Sequence, residues 1–234
     1  MMNNKLKAVA ALAICGMIAV GGTLAYMSNT TNTAKNVFTI GSGITGEVTE
    51  PNWPGKDGKD VVFKPGSTIA KDPQITNQSE GDAAYVGLKL EYVIDEVEAF
   101  KQYKANNPKT TFTSISQVYT KVGATDAESY IKAITSITIN EKNTKGTWVN
   151  ITGTNKYYYA ELDSTKALAL GTNATSDPLF REVVIKNKVG ANNAVEMNTD
   201  TMLPFEIKVT GYLVQGDLDA GADPVTELSN LMGA

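Results

Sequence analysis

The sequence predicts a mostly β domain, an antiparallel β-sandwich with a few short helices. Threonine, asparagine, glycine and β-branched residues are abundant, which is typical of antiparallel sheets. Apolar and polar residues alternate most regularly in two segments, residues 84–94 and 204–215. Because successive side chains of a strand point to opposite faces, this alternation predicts one buried face per sheet, and two such sheets stacked face to face form a sandwich.

The two alternating segments define the predicted core. The residues expected to share one buried core are Val86, Leu88, Leu90, Phe205, Ile207 and Val209. Shorter runs of the same character predict further strands at residues 43–49, 61–63, 135–141, 147–151, 156–162 and 180–189.

Three short helices are predicted from acidic residues that precede apolar residues at helical spacing. Asp95 begins the first helix, whose apolar residues are Val97, Phe100 and Tyr103. Asp126 begins the second, with Ala127, Tyr130, Ile131 and Ile134 on one face. Asp223 and Pro224 begin the third, with Val225, Leu228 and Leu231 facing inward.

The N-terminus has the three parts of a cleavable secretory signal peptide, predicted over residues 1–25. Lys5 and Lys7 precede an uncharged apolar run at residues 8–20, and two glycines follow. Small residues then lead to a predicted cleavage between Ala25 and Tyr26. The alternative is a retained membrane helix, but the apolar run is shorter than the roughly 20 residues that span a bilayer.

Beyond the leader, the chain predicts an N-terminal arm at residues 26–42 and one domain at residues 43–234, with a partly helical insertion near residues 95–134. Loss of the leader lysines changes the net charge from −4 to −6. With Arg181 as the one arginine and no basic cluster, no nucleic-acid partner is expected. The part after residue 25 has no second long apolar run, so no membrane partner is expected after cleavage.

The residue types needed for most catalytic and metal sites are missing. The chain has no histidine, and its one cysteine, Cys15, lies in the leader. These absences exclude Ser-His-Asp chemistry, thiol nucleophiles and His- or Cys-based zinc sites, so we expect no cofactor and no catalytic residue. Weak calcium binding at Asp217–Asp223 stays open, although its glycine is misplaced for a calcium loop.

Several segments of the chain together resemble the TasA/camelysin family, whose members are processed by the dedicated signal peptidase SipW. The resemblance is carried by Gly21–Tyr26, Asn36–Gly41, Glu50–Trp53, Pro65-Gly66, Lys71–Asn77, Ala84–Val86 and the late strand at residues 204–215. It covers the first 90 residues well and residues 95–193 poorly.

The resemblance implies a jelly-roll-like sandwich that Gram-positive bacteria secrete and assemble into fibres of the biofilm matrix or cell surface. It implies growth by donor-strand complementation, in which the N-terminal segment of one subunit completes a sheet of the next. Self-association, related matrix proteins and the signal peptidase are the implied partners. Some members are labelled metallopeptidases, which does not suit a chain without histidine.

The arm itself favours assembly. Residues 26–35 have no core-forming pattern, whereas Val37, Phe38 and Ile40 are apolar anchors suited to adding a strand to an exposed edge. The same residues would also suit a first strand of their own sandwich. Two rival functions remain open, a monomeric surface adhesin that binds through residues 95–134 and an exported hydrolase that uses two carboxylates.

Overall fold

A computed structural model describes residues 21–26, 35–36, 44–55, 61, 63–198, 201–218 and 222–233. Within these residues the protein is mostly β, with antiparallel pairing and four α-helices, which confirms the predicted fold class at this level. The predicted donor anchors Val37, Phe38 and Ile40 lie outside the described residues.

The described strands and helices follow one another in this order. The strands are β1 (Gly21–Tyr26), β2 (Lys35–Asn36), β3 (Gly46–Thr49), β4 (Thr68–Ala70), β5 (Gln74–Asn77), β6 (Ala84–Val93), β7 (Thr135–Ile137), β8 (Gly146–Asn150), β9 (Lys156–Glu161), β10 (Ala169–Leu170), β11 (Glu182–Ile185), β12 (Lys188–Val189), β13 (Val195–Glu196) and β14 (Glu206–Gln215). The helices are α1 (Glu96–Asn106), α2 (Ile115–Lys121), α3 (Ala127–Ile134) and α4 (Pro224–Leu231).

The main sheet has seven strands in the order β2-β1-β14-β6-β9-β8, and β10 also pairs with β6. Its centre is the pair β6–β14, which stays in register over ten residues, from Glu206 opposite Val93 to Gln215 opposite Ala84. These two strands are the ones whose alternation is clearest in the sequence. A long central strand pair of this kind fixes the positions of the edges on both sides.

The two faces of the main sheet pack against different layers. The inner face carries Leu88, Ile207 and the other predicted core residues, all buried as expected from their period of two. Opposite-face residues Tyr158, Tyr212 and Val214 pack beneath Leu228 of α4 in a second, smaller cluster. The sheet is therefore covered by apolar packing on both faces near its centre.

Smaller sheets form a second layer on the inner side. One has the strand order β4-β11-β7, and another pairs β3 with β5. Their buried residues Ile69, Val183, Val48 and Ile75 belong to the same core cluster as Leu88 and Ile207. The fourth sheet is the short pair β12–β13.

The predicted helix starts are confirmed. The Asp95, Asp126 and Asp223 side chains accept hydrogen bonds from the backbone amides of Glu98, Ser129 and Thr226, which caps α1, α3 and α4. Helix α2 was not predicted, although Ser114 and Gln117 form a capping box at its start.

Two predictions about apolar residues are wrong. Neither Val61 nor Phe63, the two described residues of the strand predicted at residues 61–63, lies in a strand. Val61 is buried outside regular structure, and the Phe63 ring meets the Phe205 ring edge-on with centroids 5.4 Å apart. Val97 does not face the core, because α1 buries Ala99 and Tyr103 and leaves Val97 82% exposed. In both cases tertiary packing, and not the local spacing of apolar residues, determines the secondary structure and which side chains are buried.

Candidate functional site

The candidate site is the edge of β14 that faces away from β6. Strand β1 pairs antiparallel with β14 there, with Thr23 opposite Val209, Leu24 opposite Lys208, Ala25 opposite Ile207 and Tyr26 opposite Glu206. Pairing with β1 thus covers the first four residues of β14, whereas pairing with β6 covers all ten on the other side.

Alternation within β14 gives this edge a mixed environment. Ile207 and Val209 point into the main core and have no exposed surface. Glu206 and Lys208 lie on the opposite face, with their charged atoms 3.9 Å apart. Partial burial raises the pKa of the Glu206 carboxyl, and the nearby Lys208 ammonium works against that rise. The edge therefore has buried apolar side chains on its inner face and a partly buried ion pair on its outer face.

The predicted cleavage point lies inside the β1 ladder. Ala25 and Tyr26 are the last two residues of β1. Residues 21–25 are predicted from the sequence only as part of a leader, and no strand is predicted there. The signal was present but short, since Thr23-Leu24-Ala25-Tyr26 alternates smaller and larger side chains over four residues only.

A second cluster joins two of the segments that carry the family resemblance. Lys71 Nζ lies 2.5 Å from Glu50 Oε1, and both side chains are fully buried. The same ammonium lies 5.2 Å from the centroid of the Trp53 ring. Burial lowers the pKa of Lys71, and the charge of Glu50 acts in the opposite direction.

Asp72 completes this cluster by accepting hydrogen bonds from Asn52, which directly precedes Trp53. Its Oδ1 accepts from the Asn52 backbone amide at 2.9 Å, and its Oδ2 accepts from Asn52 Nδ2 at 2.8 Å. Residues 50–53 are thereby held against residues 71–72, next to the β3–β5 pair. Because the charged atoms are enclosed, the cluster anchors a loop and offers no open surface to a ligand.

Three cavities formed by described residues differ from the two-carboxylate arrangement of a glycosidase. Two cavities of about 450 and 440 Å³ lie on the helical insertion, the first lined around Tyr103 and Phe112 and the second around Phe100. The first has no carboxylate in its lining, and the second has only Glu96. A third cavity near Asp95, Glu98 and Glu206 has only about 20 Å³, too little for a sugar ring.

One carboxylate of the loop considered for calcium binding, that of Asp223, caps helix α4. Asp223 Oδ2 accepts hydrogen bonds from the Thr226 amide and hydroxyl at the start of α4, and these bonds lower the pKa of the carboxyl. Asp219 and Gly221 lie outside the described residues. Within the described ranges, no group of three or more carboxylate, cysteine or histidine residues is placed to hold a metal ion.

No helix in the described part of the chain is long and apolar enough to span a membrane. Comparison of the chain with protein-family models, with curated proteins and with solved structures gave no match.

Proposed function

We propose that this chain is a secreted structural subunit of an extracellular fibre, in the biofilm matrix or on the cell surface. In this proposal the domain is a jelly-roll-like sandwich without a catalytic role. It leaves the cell after cleavage between Ala25 and Tyr26 and associates with other copies of itself. Related matrix proteins are its additional partners.

The observation that carries the proposal is that residues of the predicted leader cover part of the β14 edge. Over residues 206–209 this core-forming strand pairs with residues 23–26, three of which precede the predicted cleavage point. An uncovered strand edge presents unpaired backbone N–H and C=O groups, which bind another extended segment readily. The arm at residues 26–42 of a second copy supplies such a segment.

The arm gives the added strand its side-chain specificity. In a regular strand Phe38 and Ile40 face one side and Val37 the other, so the core side of the acceptor edge receives alternate apolar residues. Ile207 and Val209 of the acceptor are fully buried, and the added strand would lie beside them.

The test compares three secreted forms by size-exclusion chromatography and negative-stain electron microscopy. The form that begins at Tyr26 should give filaments. A form that begins at Gly41 and a Phe38→Asp variant should give folded monomers, because the first lacks the donor strand and the second places a charge in an apolar pocket. Thr39→Asp is the matched control; it adds the same charge to the other face and should still polymerise.

Two results contradict the proposal. Filaments from the form that begins at Gly41 show that the arm is not the donor. Unfolding of that form shows that residues 26–40 are an ordinary strand of their own sandwich.

A second candidate is a monomeric adhesin, favoured by the two cavities on the helical insertion and by the exposed Val97. Assembly state separates the two candidates, since an adhesin stays monomeric when it begins at Tyr26. Removal of the cavity-lining ring by Phe112→Ala should abolish surface binding of an adhesin and leave fibre growth unchanged.

A further inference from the structure

Strand β1 forms two ladders at once, one on each of its sides. Its residues 23–26 pair with β14, and its residues Gly21 and Gly22 pair with Lys35 and Asn36 of β2. Strand β2 is the outermost strand of the main sheet and is held there through β1. Residues 35–36 belong to the predicted arm, directly before the donor anchors at residues 37–40.

Cleavage between Ala25 and Tyr26 removes most of both ladders. Three of the four residues that pair with β14 lie before the cleaved bond, and so do both residues that pair with β2. The cut therefore uncovers the edge at Ile207–Val209 and also takes away the strand that holds residues 35–36 in the sheet.

We infer that residues 21–25 are a temporary first occupant of the β14 edge, and that one proteolytic cut creates the acceptor and the donor of the fibre together. The inference rests on the proposed fibre function. The later occupant of the edge is the arm of a second copy of this chain.

Tethering explains why the leader strand excludes a second copy before cleavage. A segment on the same chain competes at an effective concentration on the order of millimolar, well above that of other subunits during export. The neighbour's arm has no such advantage. The uncleaved chain is therefore blocked from growth even if its edge is otherwise competent.

The position of the scissile bond links processing to folding. A protease binds its substrate in an extended form, which requires the peptide bond to be free of other backbone pairing. The bond between Ala25 and Tyr26 lies in the part of β1 that pairs with Ile207 and Glu206. Cleavage of the folded precursor then needs β1 to separate locally from β14, so we expect the opening of this ladder to limit the rate of processing.

Hydrogen–deuterium exchange of residues 206–209 tests the inference directly. The uncleaved full-length chain, kept in detergent micelles, is compared with freshly released monomer that begins at Tyr26 and with assembled material. The relevant amides are those of residues 206–209 that point away from β6, since the alternate ones stay bonded to β6 in every form. For these we expect protection in the full-length chain, exchange about tenfold faster or more in the monomer, and protection again after assembly.

A Leu24→Pro variant of the full-length chain separates pairing from cleavage. Proline removes a backbone donor and restricts φ within β1, so the edge should exchange rapidly although the leader is still attached. Lys89→Ala in the full-length chain is the control, and the edge should remain protected.

Equal protection of residues 206–209 in the full-length chain and the monomer would overturn the inference. It would mean that the leader does not cover the edge, or that the arm of the same chain covers the edge after cleavage. Rapid exchange in the full-length chain would overturn it as well. Failure of the fibre function is a separate result: the edge opens on cleavage as expected, yet microscopy shows no filaments at any protein concentration.

Discussion

At the scale of single residues, the buried pair of Lys71 and Glu50 is the most sensitive point of the second layer. Both side chains lack exposed surface, so removal of one leaves the other charge buried without its partner. Lys71→Met should lower the free energy of unfolding by about 3–5 kcal/mol, measured by urea denaturation.

The matched control for that prediction is the double variant Lys71→Met, Glu50→Leu, which removes both charges. It should recover most of the loss, because well-packed apolar residues replace a buried ion pair at little net cost. A single variant as stable as the parent protein would show that water reaches the site. Both residues lie in segments that carry the family resemblance, but nothing in the sequence near residue 50 or residue 71 indicates that the two side chains meet.

Buried and half-buried tyrosines should lower the stability of the protein at alkaline pH. Burial raises the pKa of Tyr92 and of Tyr159 to about 12, and it raises the pKa of Tyr130 as well. In the unfolded chain a tyrosine ionises near pH 10. The stabilisation from these neutral phenols is therefore complete below about pH 10 and is lost as the pH rises toward about 12.

Thermal unfolding at pH 8 and at pH 11 measures this effect. The melting temperature should fall at pH 11, and Tyr92→Phe should make the fall smaller because phenylalanine does not ionise. Tyr85→Phe, at another half-buried tyrosine of β6, serves for comparison. An identical fall in the parent protein and Tyr92→Phe would assign the effect to other groups.

At the scale of secondary-structure elements, the pair β6–β14 should dominate stability. Leu88 and Ile207 are fully buried in adjacent strands of the main sheet. Leu88→Ala or Ile207→Ala should cost about 2–5 kcal/mol in chemical denaturation, because each leaves a cavity in the core. Lys89→Ala is the control on the opposite face and should be nearly neutral; a loss below about 0.5 kcal/mol at both core positions would refute the face assignment.

The packing around α4 shows why some elements were predictable and others were not. The alternation in β6 and β14 and the acidic caps of α1, α3 and α4 are local signals, and each is confirmed. Gly87 is not explained by local signals: a Cβ there would lie 3.0 Å from the Tyr157 carbonyl oxygen and 2.1 Å from Met232 Cε, so the close packing of β9 and of the residue that follows α4 favours glycine. Such a contact joins residues far apart in sequence and appears only in the folded chain.

Of the candidate site, the donor segment could be predicted from local sequence, whereas the acceptor edge could not. The sequence indicated a donor segment at residues 37–40, since alternating apolar residues follow a polar stretch. The edge of β14 was not predicted, because the choice of an edge strand depends on the order of all strands in the sheet. Short strands such as β10 and β13 were also missed, since two residues carry no period.

At the scale of the whole molecule, the predicted cleavage decides where the mature protein begins. We expect secreted material to begin at Tyr26, because Thr23 and Ala25 supply the small residues that precede a signal-peptidase cut. N-terminal sequencing and intact mass measure it. A start before Gly21, or a lipid attached to Cys15, would show that the site was misassigned.

Pairing of β1 with only one end of β14 also has a consequence for polarity. A subunit that accepts a strand at this edge and gives its own arm to another copy forms a head-to-tail contact, which is heterologous and does not close into a symmetric dimer. The two tips of a filament then differ chemically, one carrying a vacant acceptor and the other an unused arm. A subunit without an arm still has an acceptor edge, so it can bind only at the tip that carries an unused arm. It adds no new arm there, so small amounts of it would stop growth at that tip and leave the opposite tip active.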